Sequence, residues 1–159
     1  MDKVSYCFYM SPIGELTLAG IGDELVLCEF ERKDIDGLFE VTPLLENAMY
    51  QLDEYFSKKR KVFDLKYRFI RGTDFQQRVW KALLTIPYGK TVSYKDIASM
   101  IESPKACRAI GQANHNNPIS IFIPCHRVIG ANGKMVGYGG GMDKKVFLLN
   151  LEKSNESEG

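Results

Sequence analysis

Histidine is almost missing from this chain, with two residues in 159, and tryptophan occurs once. Cysteine occurs four times, as Cys7, Cys28, Cys107 and Cys125. That scatter excludes a dense disulfide framework and points to free thiols in a reducing compartment. No apolar run approaches the roughly 20 residues of a membrane span, so no membrane partner is expected. The opening stretch, MDKVSYCFYMSPIG, carries no apolar signal region, and the expected location is the cytoplasm. Internal repeats are also absent.

What remains has the composition of an ordinary globular protein, 45% hydrophobic and 26% charged, long enough for one or two small domains with a real core. The net charge of +1 hides an asymmetry. Residues 1–72 carry 10 Lys/Arg against 13 Asp/Glu, whereas residues 73–151 carry 10 against 4. A basic second half is compatible with a polyanion partner for that half, and equally with chance.

Residues 4–31 read as antiparallel strands, with turns at Pro12-Ile13-Gly14 and Gly20-Ile21-Gly22-Asp23. Thr42-Pro43 opens a helix to about Ser57, with Leu44, Leu45, Met49, Leu52 and Tyr55 on its apolar side. Residues 62–70 form another short strand, and Arg71–Thr73 is the expected boundary between domains 1–72 and 73–153. Thr73 and Gln76 form a capping box before a helix with Phe75, Val79, Leu83 and Leu84 on one face. Ser93 and Asp96 form a second box, and Ser103-Pro104 caps a third helix, KACRAIGQANHN. Two short helices around a tight turn are a helix-turn-helix candidate and equally a common packing unit. Residues 119–123, ISIFI, read as a buried extended segment, and GANGKMVGYGGG as a hairpin or close-fitting loop. A last helix runs from Asp143 to about Lys153, with a disordered tail at 154–159. The fold class is α+β, a small antiparallel-sheet N-terminal domain followed by a mainly helical domain of winged helix-turn-helix type.

One stretch carries chemistry. IPCHRVIG, residues 123–130, holds Cys125, His126 and Arg127 in succession inside an apolar setting. A thiolate is a far better nucleophile than a thiol, and a nearby base or positive charge favours it. Neighbouring side chains on an extended strand point to opposite faces. Contact between Cys125 and His126 therefore requires a turn, a bridging water or a helical backbone. Cys7 and Cys28, in strand-like runs, read instead as small buried hydrophobes.

PCHRV, preceded by Asn117-Pro118 and followed by GYGGG, resembles the O6-alkylguanine-DNA alkyltransferases. The likeness continues through TDFQQRVWKALLTIPYGKTVSY, CRAIGQANHNNP and KKVFLLNLE, covers about residues 73–152 closely, and extends more weakly to 1–72. It implies a single-turnover methyltransferase for DNA repair. The alkyl group of O6-alkylguanine in double-stranded DNA, with O4-alkylthymine left open, would move irreversibly to Cys125. His126 would be the base, through a bridging water, with Glu152 orienting it. Tyr94 would serve the leaving purine, and Asn117 would tie the turn around Cys125 to the helix-turn-helix.

The same resemblance implies base flipping, with Arg108 filling the vacated space. Ser93, Tyr94, Ala106, Cys107 and Gly111 would contribute to the DNA-binding surface. Asn114, Val128, Tyr138 and Gly139 would line the base pocket. The family usually has alanine at Cys107, often a small hydroxyl or alanine residue at Gly139, and in some members proline at Ser120. The last two departures bear on which adducts fit. Some members hold a structural zinc, but Cys7 and Cys28 lack further ligands here, so no metal or cofactor is expected. The protein is expected to act as a monomer. A DNA-binding sensor without chemistry would lack the cysteine, and a Cys/His hydrolase would turn over many times.

Overall fold

The computed structural model describes residues 3–130 and 141–158. The chain forms two compact units, Met1–Ile70 with Pro118–Phe122, and Arg71–Asn117 with Ile123–Gly159.

The first unit is built on a hairpin pair. β1 (Val4–Ser11) pairs antiparallel with β2 (Gly14–Ile21), and β2 with β3 (Glu24–Phe30). Gly14 and Gly22 sit at the two turns with φ of 110° and 59°, a region side chains avoid. The sheet has five strands, where the sequence suggested three at its centre. β4 (Leu38–Phe39) adds in parallel to β1 and β5 (Lys66–Tyr67) in parallel to β3, giving the order β4-β1-β2-β3-β5. β5 lies inside the strand expected at 62–70, shortened to two residues, whereas β4, also two residues long, is too short to show a period of two and is revealed only by its pairing with β1.

α1 (Pro43–Phe56) starts where the sequence places it, because Thr42 accepts from Leu45 N at 3.3 Å and Pro43 takes the first helical position. It buries Leu44, Leu45, Ala48, Leu52 and Tyr55 against β1, β2 and β3. The approach is close at Gly20, where a Cβ would lie 2.4 Å from Leu44 Cδ2. The ISIFI segment is buried but is not a regular strand. It makes a parallel bridge at Ile119 to Cys28, and then Ile121 turns with φ of 73°.

The second unit holds α2 (Asp74–Leu83), α3 (Tyr94–Met100), α4 (Cys107–His115) and α5 (Met142–Glu158). Both expected capping boxes form, Thr73 with Gln76 and Ser93 with Asp96. The buried face of α2 is Val79, Trp80 and Leu83. Leu84 is exposed, because the chain leaves the helix there, and Trp80 takes the central place with its indole N–H on Ala113 O at 2.8 Å.

Ser103 does not cap α4. Glu102 adopts φ of 56°, Ser103 N donates to Ala98 O at 2.8 Å and Glu102 N to Ser99 O at 3.1 Å. This pair of bonds closes α3 as a Schellman motif, so Ser103 belongs to the end of α3. α4 begins at Ala106 with no side-chain cap. The resulting α3-turn-α4 pair is the helix-turn-helix of this unit.

The sequence reading ended the last helix at Lys153, but α5 continues to Glu158. Asn155 is buried and donates to the Tyr88 hydroxyl at 3.1 Å, and that bond anchors the last turns. None of the four cysteines, all among the described residues, forms a disulfide. No helix among the described residues is long and apolar enough to cross a membrane.

Candidate active site

Backbone geometry resolves the Cys125–His126 problem. Pro124 cannot continue a strand ladder, and Cys125–Arg127 form a single 3-10 turn. Arg127 N bonds to Pro124 O at 3.0 Å, and Val128 N closes onto Cys125 O. Successive side chains of such a turn diverge by about 120° rather than 180°, so both Cys125 and His126 enter the interior, at 2% and 0% exposure. The chain then forms β7 (Val128–Ile129), which pairs in parallel with β6 (Val92–Ser93). That pairing sets the start of α3, and with it Tyr94, beside the turn.

Three side chains hold the turn from outside it. Asn117 Nδ2 donates to Ile123 O at 2.8 Å and Asn114 Nδ2 to Cys125 O at 3.3 Å. Lys145 is fully buried and places Nζ 2.6 Å from Val128 O.

Glu152 lies at the centre of the charged groups and is 1% exposed. Its Oε2 is 2.7 Å from His126 Nε2 and 3.0 Å from Arg127 Nη2. Its Oε1 accepts from Arg127 Nε at 2.8 Å and from Gly89 N at 3.1 Å. Arg127 also donates to Ile86 O at 2.6 Å and lies over the Tyr88 ring. Burial opposes ionisation of Glu152, but the hydrogen bonds and charge of its partners outweigh it and hold the carboxyl well below the usual carboxylate range.

Burial pushes His126 below an ordinary imidazole, against the upward pull of Glu152 and with the charges of Arg127 and Lys145 adding to the fall. A neutral ring facing a carboxylate through Nε2 carries its hydrogen there, which leaves Nδ1 as the basic lone pair. Nδ1 is buried and has no hydrogen-bond partner among the described residues. Tyr94 is half-buried. Burial raises it above the ordinary phenol range, so its hydroxyl stays protonated at neutral pH.

The structure therefore brings together Cys125, His126, Glu152, Asn114, Asn117, Tyr94 and Val128. A separate group lies along α4, where Cys107 and Arg108 are exposed and Ala106 and Gly111 partly so. The exposed face at the start of this helix carries little bulk apart from Arg108, since Ala109 is also exposed. Gly111 faces the Tyr94 ring, 4.0 Å from where a Cβ would stand. Ser93 is the N-cap of α3, with its hydroxyl accepting from Asp96 N at 3.0 Å. Tyr138 and Gly139 lie outside the described residues, as does most of the glycine-rich segment.

Sequence reasoning missed Lys145, Gly89 and Asn155. Only PYG offered a signal: Gly89 has φ of 76°, so the glycine is required to aim its N–H at Glu152.

Residues 4–69 match the family described as "6-O-methylguanine DNA methyltransferase, ribonuclease-like domain", and residues 74–154 match "6-O-methylguanine DNA methyltransferase, DNA binding domain". A methylated-DNA–protein-cysteine methyltransferase from Mycobacterium tuberculosis (strain ATCC 25618 / H37Rv) is 54% identical over 148 residues, covering 91% of this chain and 89% of that protein. One from Methanosarcina barkeri (strain Fusaro / DSM 804) is 49% identical over 155 residues, covering 94% and 98%. The crystal structure of Mycobacterium tuberculosis OGT in complex with DNA superposes with a TM-score of 0.89 at 51% identity, covering 95% of this chain and 94% of that one.

Proposed function

This chain belongs to the 6-O-methylguanine DNA methyltransferase family, and from that premise we propose that Cys125 takes the alkyl group of O6-alkylguanine in duplex DNA onto its own sulfur. The activity is DNA repair by alkyl transfer to a protein cysteine. One observation supports the residue assignment above the others. The imidazole beside Cys125 is buried and committed to Glu152 through Nε2, and its Nδ1 has no hydrogen-bond partner among the described residues.

The reaction follows from those contacts. His126 Nδ1 accepts the thiol proton through an intervening water, and Glu152 stabilises the imidazolium that forms. The sulfur attacks the alkyl carbon as the bond from that carbon to O6 breaks. The electron pair passes to the purine, which takes a proton or hydrogen bond from Tyr94. The product is a thioether. Its carbon–sulfur bond resists hydrolysis, and the protein is spent after one event.

The target oxygen lies in a stacked pair, so the nucleotide leaves the helix at a cost of about a few kcal/mol. Arg108, exposed on α4 among Ala106, Cys107 and Ala109, fills the gap. Small neighbours let that helix lie in the minor groove. The protein acts as a monomer, in the cytoplasm.

The test is single-turnover transfer from a duplex carrying one O6-methylguanine. Cys125→Ala should bind that duplex as the parent does and transfer nothing. Transfer that persists in Cys125→Ala would refute the assignment.

A further inference from the structure

β1 is covered along only part of one edge. β4 pairs with it at Ser5 and Tyr6, and Glu40 N donates to Tyr6 O at 3.1 Å before the chain leaves to begin α1. Hydrogen-bonding groups alternate between the two edges of a strand. Tyr6 faces β4, so Phe8 and Met10 turn their N–H and C=O groups to that same edge, while Cys7 and Tyr9 face β2. Among the described residues β1 has β4 and β2 beside it in the sheet and no other strand, so the edge at Phe8 and Met10 is open. An open edge is a template for another strand.

A groove of about 920 Å³ runs along this edge, and α1 forms its other wall. Side chains alternate across β1. Phe8 lies on one face, its ring 5.8 Å from Tyr6 and 5.7 Å from Phe39. Tyr9 lies on the other and donates to Asp53 Oδ1 at 2.6 Å. Glu46, Tyr50 and Asp53 follow at helical spacing along α1, on the face that lines the groove. Among the described residues the lining holds these two carboxylates and no cation. Met10 and Tyr50 are exposed at its rim.

We propose that this edge takes up an extended segment of a partner protein, added to the sheet as a strand beside Phe8 and Met10, with basic and apolar side chains in alternation. Main-chain bonds to the edge supply affinity, and the two faces select the side chains. One face of the added strand looks to α1, where arginines meet Glu46 and Asp53. Asp53 retains accepting capacity beside the Tyr9 bond, since a carboxylate accepts on both oxygens. The other face continues the side of Phe8 and Phe39, where apolar side chains extend the aromatic cluster. Arginines two residues apart in a strand stand about 7 Å apart, and Glu46 and Asp53 about 10 Å apart along the helix, a difference that long side chains span. All of these residues belong to the first unit, so the docking uses no group of the transfer site.

The probe is a fluorescent acetyl-Val-Arg-Val-Arg-Val-amide peptide, added to the full chain at low salt, with acetyl-Val-Glu-Val-Glu-Val-amide as control. Binding is read by anisotropy, and amide hydrogen exchange is read residue by residue by NMR. In the free protein the Phe8 and Met10 amides should exchange faster than those of Cys7 and Tyr9, which face β2. At saturation the arginine peptide should slow exchange at Phe8 and Met10 by about ten-fold or more, and the glutamate peptide should not bind. Glu46→Lys should weaken the arginine peptide by about ten-fold. Two further probes carry N-methyl groups, one on its arginines and one on its valines. Alternate amides of a strand face opposite edges, so one probe should lose binding and the other keep it. Absence of binding, equal behaviour of the two N-methylated probes, unchanged exchange at Phe8 and Met10, or unchanged affinity in Glu46→Lys would overturn the inference. Protection of these amides that rises with protein concentration without peptide would also overturn it, giving the edge to a second copy of the chain.

Discussion

Replacing Glu152 by glutamine keeps the shape of the side chain and removes its charge. Of the two carboxylate oxygens, one accepts from His126 Nε2 and Arg127 Nη2 and the other from Arg127 Nε and Gly89 N. An amide serves only one of these edges, since its NH2 faces two donors on the other. Arg127 loses its counter-charge in either orientation, at 7% exposure. Breaking one side of a buried pair costs about 3–5 kcal/mol. For a chain of this size that lowers Tm by about 6–20 °C. The chemical effect is separate. The anion beside Nε2 stabilises the imidazolium formed when Nδ1 takes the thiol proton, and a neighbouring opposite charge is worth about 10- to 1,000-fold in a protonation equilibrium. Iodoacetamide labelling of Cys125 in Glu152→Gln should be slower at neutral pH by that order and recover only at higher pH. Methyl transfer should slow with it, and DNA affinity should stay nearly unchanged. The assay is the pH–rate curve of labelling in both proteins, at a temperature where both are folded. Superimposable curves would refute the reasoning and leave the activation of Cys125 to His126 and Arg127 alone.

Arg108→Ala should slow repair in duplex DNA far more than reaction with a free modified base, because only the duplex requires flipping. Equal slowing would show that Arg108 serves the fold or the chemistry. Gly89→Ala should cost about 1–2 kcal/mol for a side chain forced to positive φ. Glu156, whose Cγ stands 2.3 Å from the new Cβ, is a flexible side chain that can swing away. Thermal melting reads that loss, and an unchanged Tm would contradict it. Acid should destabilise the protein from just below neutral. Burial lowers His126 and the contacts of Glu152 lower its carboxyl, so in both cases the unfolded chain binds protons more readily than the folded one. Stability is then intact above the free imidazole value of about 6.5 and falls as the pH drops below it. A Tm that stays flat between about pH 7 and pH 5 would contradict a neutral, buried His126.

Much of this site was legible because its chemistry sits in contiguous residues. Cys125, His126 and Arg127 are neighbours in the chain, and the capping boxes at Thr73 and Ser93 are local patterns that form as written. What escaped depends on pairing over long sequence separations. Glu152 meets Gly89 across 63 residues and Asn155 meets Tyr88 across 67. Nothing in NESEG marks Asn155 as buried, so the end of α5 read as tail. Lys145 escaped for a different reason. A lysine beside Asp143 and Lys144 reads as solvated surface, and only the packed helix shows its ammonium on Val128 O. Ser103-Pro104 misled because the same residues suit a helix start and a helix stop. Backbone closure of α3 took them.

The most direct test of the account is intact mass after mixing with excess O6-methylguanine duplex, followed by peptide mapping. The account predicts one methyl group per chain, on Cys125 alone, with no further transfer once every chain carries it. A methyl group on Cys107, the exposed thiol of α4, or demethylation that continues beyond one equivalent of protein, would contradict it.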